Sequence, residues 1–189
     1  MDADSFARAV HSSRPVLAAV RPEQLDDPTP CVSWKVRDLI NHMVQAPEFA
    51  ATVASTRDFS NHRGDAADHA SGDYLAAYDA ATERALEAFR SEGAFEGTVK
   101  MPFGDLPAAA FATIATGDAF VHGWDLAKAT GQAATLDPAL AEELLVEVEP
   151  LMPEGFRGAD GEAPFGPRVE VADDAPAADR LAGFLGRHP

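Results

Sequence analysis

Alanine-rich segments in which apolar residues recur at helical spacing make up most of this chain, and runs of β-branched residues are scarce. Alanine is the strongest helix former, and apolar residues three and four positions apart line one face of a helix. The pattern therefore predicts an all-α fold. We expect helices over residues 3–20, 36–56, 72–91, 107–130, 137–149 and 174–187, and a short extended or hairpin insertion over 98–106.

Two prolines fall inside these predicted helices. Pro15 lies in the first helix, and Pro47 lies in the second. A proline within a helix removes one backbone hydrogen bond, and its ring clashes with the preceding turn. We therefore expect Pro15 to kink or divide the first helix and Pro47 to interrupt the second.

The length and composition of the chain fit one compact domain. It has 189 residues, of which 46% are hydrophobic, and this is enough for a sizeable core. Four long helices with short additions favour a helical bundle. We expect the bundle to occupy residues 1–149. Residues 150–189 are then a C-terminal helical extension that packs on the bundle and is too short to be an independent domain.

The charge and the cysteine content exclude several classes of protein. The net charge of −16 repels phosphate backbones and anionic membranes. The single Cys31 cannot form an internal disulfide, as is usual in a reducing compartment. The acidic start MDADSFARAVHSS is unlike a secretory signal, and no segment approaches the roughly 18 apolar residues of a membrane span. We expect a cytoplasmic protein that binds neither nucleic acid nor membrane.

The fourth predicted helix carries the most informative pattern for function. Asp118 and His122 fall in the middle of an apolar stripe that also contains Phe111 and Leu126. Side chains four residues apart are neighbours, with about 5–6 Å between Cβ atoms. A buried carboxylate is costly unless a partner satisfies it. The pair either forms a hydrogen bond within the core or offers two ligands to one metal ion.

A third metal ligand would have to come from another part of the chain. His188 is close to the end, and His62 and His69 lie in a polar loop, so all three are expected to be exposed. His11 lies on the first helix. His42 lies on the second helix, near the edge of its apolar face. Position alone favours His42 over His11 only modestly.

The opposite side of the fourth helix is also apolar, with Phe120 and Trp124. A helix that is apolar on both sides is buried on both sides. Either the C-terminal tail or a second subunit could cover this face, and we expect a homodimer. Cys31, just before the second helix, could act as a nucleophile beside a histidine, but a small buried residue is the commoner role of a lone cysteine.

Three segments resemble the DinB-like metal-binding bundles. They are similar to the actinobacterial branch that includes the N-terminal domain of mycothiol-dependent maleylpyruvate isomerase. The segment TPCVSWKVRDLINHMV (29–44) resembles the first signature of that family, and GDAFVHGWDLAKATGQ (117–132) resembles the second. The stretch VEVADDAPAADRLAGFLGRHP (169–189) is similar to the tail of an uncharacterised subgroup of the branch.

The resemblance implies an antiparallel four-helix bundle with a divalent metal ion near one end. It also implies that His42, Asp118 and His122 are the metal ligands. The isomerase branch usually has Glu at the carboxylate position, whereas this chain has Asp118. The aspartate side chain is one methylene shorter, so the metal position or its denticity is expected to differ.

Several functions agree with such a site. Three protein ligands leave an open position, so a low-molecular-weight thiol, mycothiol by resemblance, could be activated as cosubstrate of a transferase or isomerase acting on a small-molecule substrate. The alternatives are metal-assisted hydrolysis and a non-catalytic metal-binding or small-molecule-binding protein. Two histidines and a carboxylate also suit Fe(II) oxygen chemistry, which we rank last. Zn is the expected metal, with Ni, Fe and Mn as alternatives. The sequence singles out no catalytic residue beyond the ligands.

Overall fold

The computed structural model describes residues 1–62, 67–152, 154–159, 163 and 165–189. Within these ranges the chain forms six α-helices and one two-stranded antiparallel sheet. The elements are α1 (Ala3–Ala18), α2 (Val36–Thr56), α3 (Tyr74–Arg90), β1 (Thr98–Met101), β2 (Gly104–Pro107), α4 (Ala108–Ala129), α5 (Pro138–Val148) and α6 (Ala177–Phe184).

The predicted elements are confirmed, with helix ends that differ by a few residues, and the extended segment is a hairpin. The expected interruption at Pro47 was wrong, because α2 continues through it, and Pro15 does not divide α1. Each helix has buried apolar residues beyond its proline, such as Leu17 and Val53. Packing of these residues outweighs the local cost of the proline, about 3 kcal/mol.

Aspartate caps define where three of the helices begin. The carboxylates of Asp2, Asp73 and Asp137 each accept a hydrogen bond from the backbone N–H three residues later, at 2.9, 3.0 and 2.9 Å. Such a cap satisfies one of the free N–H groups of the first turn. Of these three starts, the cap at Asp137 is the one that the sequence pattern predicted, whereas α3 begins two residues later than expected.

Helix α4 lies at the centre of the packing. It contacts α1 and α2 on one side and α5 and α6 on the other. Helix α3 packs on both α1 and α2. Phe120, Trp124 and Leu126 on α4 are all fully buried. The sequence prediction that this helix is buried on both sides is confirmed. Because α4 also carries Asp118 and His122, the candidate site lies against this central helix.

The C-terminal segment covers one face of α4. The indole N–H of Trp124 donates to a carboxylate oxygen of Asp179 on α6, at 2.7 Å. Arg180 on α6 also forms an ion pair with Glu142 on α5. These contacts account for the burial of Trp124 within one chain. The expected homodimer is therefore not needed to explain that face, and it stays a prediction.

None of the helices that the structure describes combines the length and the hydropathy needed to cross a membrane. Short 3-10 turns lie at Phe59–Asn61, His69–Ser71 and Glu154–Phe156. Residues 63–66, 153, 160–162 and 164 lie outside the described residues.

Candidate metal centre

The structure brings His42, Asp118 and His122 together between α2 and α4. The His42 Nε2 atom lies 3.2 and 3.3 Å from the two carboxylate oxygens of Asp118. The His122 Nε2 atom lies 3.3 Å from Asp118 Oδ1. One ligand atom from each residue falls within 4.8 Å of the other two. The three side chains thus converge on one point, with Asp118 between the two imidazoles.

The other histidines are placed elsewhere. His11 and His188 are exposed, so the structure places His42, and not His11, beside the pair on α4. His62 and His69 are half-buried rather than exposed as expected. The ring of His62 packs edge-on against Phe49, with 5.0 Å between ring centroids.

A second carboxylate, which the sequence analysis did not single out, faces the other side of the His122 ring. The Oδ2 atom of Asp125 lies 2.9 Å from His122 Nδ1, and Asp125 is completely buried. Residues three apart on a helix share a face, so this spacing in the sequence is a signal that could have identified Asp125. The contact directs the opposite nitrogen, Nε2, toward Asp118 and His42.

Two further residues close this side of the site. Arg187 forms two hydrogen bonds with the Asp125 carboxylate, Nε to Oδ1 at 3.2 Å and Nη2 to Oδ2 at 3.0 Å. The thiol of Cys31 donates to Asp125 Oδ2 at 3.4 Å and accepts from Arg187 Nη2 at 3.6 Å. Cys31 is half-buried. The expectation of a small buried residue is therefore only partly met. Cys31 also lies beside His122.

The indole of Trp34 packs against both candidate histidine ligands. Its ring centroid is 4.9 Å from that of His42 and 5.6 Å from that of His122. The two imidazoles meet edge to face at 4.5 Å. Trp34 therefore limits rotation of both rings and shields one side of the site from water. No pattern in the sequence distinguishes this tryptophan from a core residue.

Burial and the neighbouring charges shift the pKa values of Asp118 and His122. Burial disfavours the charged form of Asp118, but His42 and His122 outweigh it and hold the pKa of Asp118 below its usual range. Burial likewise opposes protonation of His122. The charge of Asp118, with hydrogen bonds to Asp118, Asp125 and Cys31, nevertheless raises the pKa of His122 well above 6.5. Both ring nitrogens of His122 face carboxylates, and these contacts favour the protonated form of the ring in the metal-free protein.

A cleft of about 290 Å³ opens beside His42 and Asp118. Apolar side chains from α1, α2 and α4 form most of its wall, and His62 and Gln45 add polar groups. The apolar members are Phe6, Ala46, Pro47, Phe49, Phe111, Ile114, Ala115 and Ala119. A small organic molecule in the cleft would lie in contact with the candidate metal ligands.

The donor set fits a divalent metal ion. Two imidazoles and a carboxylate are ordinary ligands of Zn, Fe, Ni and Mn. Ligands about 2.0–2.1 Å from a tetrahedral zinc ion stand about 3.3 Å apart. The two imidazole nitrogens of His42 and His122 lie at 3.2 and 3.3 Å from Asp118 Oδ1. Asp118 therefore reaches the site despite its shorter side chain.

Comparison of the sequence with known protein families finds one that matches this chain. The family model described as the mycothiol maleylpyruvate isomerase N-terminal domain matches residues 6–127, well over half of the chain. The chain belongs to this family. The matched region contains the three candidate ligands and Asp125, whereas α5, α6 and Arg187 lie beyond it.

Two relatives match over nearly the full length of the chain. Both are uncharacterized proteins of Mycobacterium tuberculosis, from strains CDC 1551 and H37Rv. Each is 38% identical over 180 residues, which cover 95% of this chain and 94% of the relative. The similarity thus includes most of the C-terminal segment that the family model does not cover. No solved structure shows significant similarity to the chain.

Proposed function

We propose that the protein binds one divalent metal ion, zinc by preference, through His42, Asp118 and His122. We also propose that it acts as a thiol-dependent transferase or isomerase. Its four long helices, α1 to α4, would form the antiparallel four-helix bundle of DinB-like proteins. The observation that carries the proposal is the convergence of three ligand atoms at the wall of a cleft with room for a small substrate.

Neighbouring side chains hold the three proposed ligands in orientations that suit metal binding. Asp118 stays ionised at all but strongly acidic pH because its pKa is lowered. Asp125 accepts a hydrogen bond from His122 Nδ1 and so leaves Nε2 as the nitrogen that faces Asp118. Trp34 packs on both imidazoles and excludes water from one side. The ligands are therefore held in position before a metal binds.

When bound, the metal ion would supply a Lewis acid that favours the thiolate form of a thiol. The residues of the cleft would then hold the electrophile. Phe49, Phe111 and Ile114 offer apolar contacts, which favour the apolar part of a small substrate. His62, at the same wall, offers a hydrogen-bonding group. Mycothiol is the proposed thiol because the family description names it.

The decisive experiment combines elemental analysis with a thiol-dependent assay. Unchelated protein should contain close to one equivalent of a divalent metal. The metal-loaded protein should consume small apolar electrophiles only when mycothiol is added. The variant Ala115→Phe, which narrows the cleft, should keep the metal and lose this reaction. Absence of metal would refute the proposal, and turnover without thiol would point instead to hydrolysis.

Metal affinity should depend on pH through His122. Its raised pKa means that a proton occupies Nε2 below that pKa and must leave before a metal can bind. Affinity should therefore rise at least about tenfold per pH unit below the His122 pKa and level off above it. Asp118, whose pKa is lowered, adds no further dependence until the solution is strongly acidic.

Isothermal titration with Zn²⁺ at a series of pH values, in two buffers of different ionisation enthalpy, measures both the affinity and the protons released. At least one proton should be released per metal ion below the His122 pKa, because the metal replaces the proton on Nε2. The variant His11→Ala, which alters an exposed histidine, should give the same profile. An affinity that does not change from about pH 5 to 8 would contradict the assignment of His122 as a ligand.

A further inference from the structure

The contact between Arg187 and Asp125 joins the C-terminal segment to the candidate metal centre. Asp125 is fully buried, and Arg187 keeps only 11% of its side chain exposed. A carboxylate in such a place requires a charged or hydrogen-bonded partner. Arg187 supplies two parallel hydrogen bonds, at 3.2 and 3.0 Å, which fix the plane of the carboxylate as well as its position.

The carboxylate plane in turn fixes the imidazole of His122. Asp125 Oδ2, the oxygen that accepts from Arg187 Nη2, is also the oxygen that contacts His122 Nδ1 at 2.9 Å. A proton held on Nδ1 by this contact leaves the lone pair on Nε2 for a metal. Arg187 therefore acts on the His122 tautomer through Asp125, although it touches no proposed ligand itself.

The backbone around Arg187 is held firmly enough to serve this purpose. The Arg187 N–H donates to the carbonyl of Ala182 in α6 at 2.9 Å. The preceding residue, Gly186, has φ of +89°, and a Cβ atom there would lie 2.7 Å from Cα of Gly166. The chain thus turns tightly after α6, and this close contact sets the direction in which Arg187 leaves the helix.

We propose that Arg187 and Asp125 are positioning residues of the metal centre, so that the C-terminal segment completes a site whose ligands all lie in the N-terminal part. This inference rests on the proposed metal site. It assigns a role to a residue outside the region that the family model matches. It also explains why the segment after residue 150, which carries no ligand, packs against the site helix.

The test compares Zn²⁺ affinity in Arg187→Gln, Asp125→Asn and a matched control. Loss of a carboxylate that orients a histidine ligand lowers metal affinity about 10–100-fold. We expect a loss of this size for Asp125→Asn. For Arg187→Gln we expect an affinity about tenfold lower, because Arg187 acts on His122 only through Asp125. The control Arg180→Gln removes the ion pair between Arg180 on α6 and Glu142 on α5. This variant should leave Zn²⁺ affinity unchanged.

A second measurement separates positioning from loss of folding. Nitrogen-15 spectra of the zinc-loaded protein should show His122 as the Nδ1–H tautomer, and Arg187→Gln should broaden or shift that signal. Arg187→Lys keeps the charge but loses the paired geometry, so its affinity should fall between those of Arg187→Gln and the unsubstituted protein. This variant provides the test if the others do not fold.

The outcomes are distinguishable. If the unsubstituted protein binds Zn²⁺ and Arg187→Gln binds it equally well with an unchanged His122 signal, the positioning role is wrong and the proposed function stands. If the unsubstituted protein binds no divalent metal, both fail together. An equal loss of affinity in Arg187→Gln and in Arg180→Gln would also overturn the inference, because it would show only general loosening of the C-terminal segment.

Discussion

Replacing His122 with alanine should lower the affinity for Zn²⁺ by at least about 100-fold. Zinc sites in proteins bind with a total of order 10 kcal/mol, so each of three ligands accounts for about 3 kcal/mol, and 1.4 kcal/mol is a factor of ten. The loss of Zn²⁺ binding free energy should exceed about 3 kcal/mol, because the two remaining ligands, His42 and Asp118, lie on different helices. Calorimetric titration of the metal-free variants with Zn²⁺ measures the effect.

The fold should survive this substitution, which makes the result interpretable. Without His122, Asp118 still has His42 as a partner and Asp125 still has Arg187. His11→Ala is the matched control, since His11 is exposed on α1 and was the competing candidate ligand. Zn²⁺ binding that is lost in His11→Ala, or kept in His122→Ala, would show that the ligand set is wrong. His42→Ala should behave like His122→Ala.

Much of the fold follows from local rules that the sequence displays. Apolar periodicity located the long helices, and the Asp137-Pro138 pair marked the start of α5 through a cap at 2.9 Å. The prolines show the limit of such rules. Whether Pro15 or Pro47 breaks a helix depends on how much apolar surface is buried beyond it, and that is decided by tertiary packing. Both helices continue because residues past each proline are in the core.

Some residues of the candidate site can be identified from the sequence, and others depend on tertiary packing. The sequence places Asp118 and His122 together, because four residues on a helix fix their separation. Asp125 obeys a similar rule at three residues and could have been found. The selection of His42 over His11 needed either the family resemblance or the packing of α2 on α4. Arg187 was beyond any sequence argument, since its contact with Asp125 spans 62 positions and depends on the path of the chain after α6.

Gly123 shows how closely α4 is fitted to its neighbours, and replacing it with alanine should destabilise the protein by about 1–3 kcal/mol. A Cβ atom at Gly123 would lie 2.1 Å from the Ser13 hydroxyl and 2.7 Å from Ser13 Cβ on α1. Ser13 cannot easily move, because it is fully buried and its hydroxyl donates to the carbonyl of Ala119 at 2.9 Å. The clash must outweigh the helix propensity that alanine adds, about 1 kcal/mol.

A second glycine on the same helix provides the control for this prediction. A Cβ atom at Gly117 would meet only Val148 and Leu144, at 3.5 and 3.9 Å, so Gly117→Ala should be neutral or stabilising by up to about 1 kcal/mol. Ser13→Gly removes both clashing atoms and should rescue Gly123→Ala. In urea denaturation of the metal-free protein, the double variant should be more stable than the sum of the single effects by about 1–3 kcal/mol, as expected for residues in contact. Additive effects would mean that α1 and α4 are further apart than described.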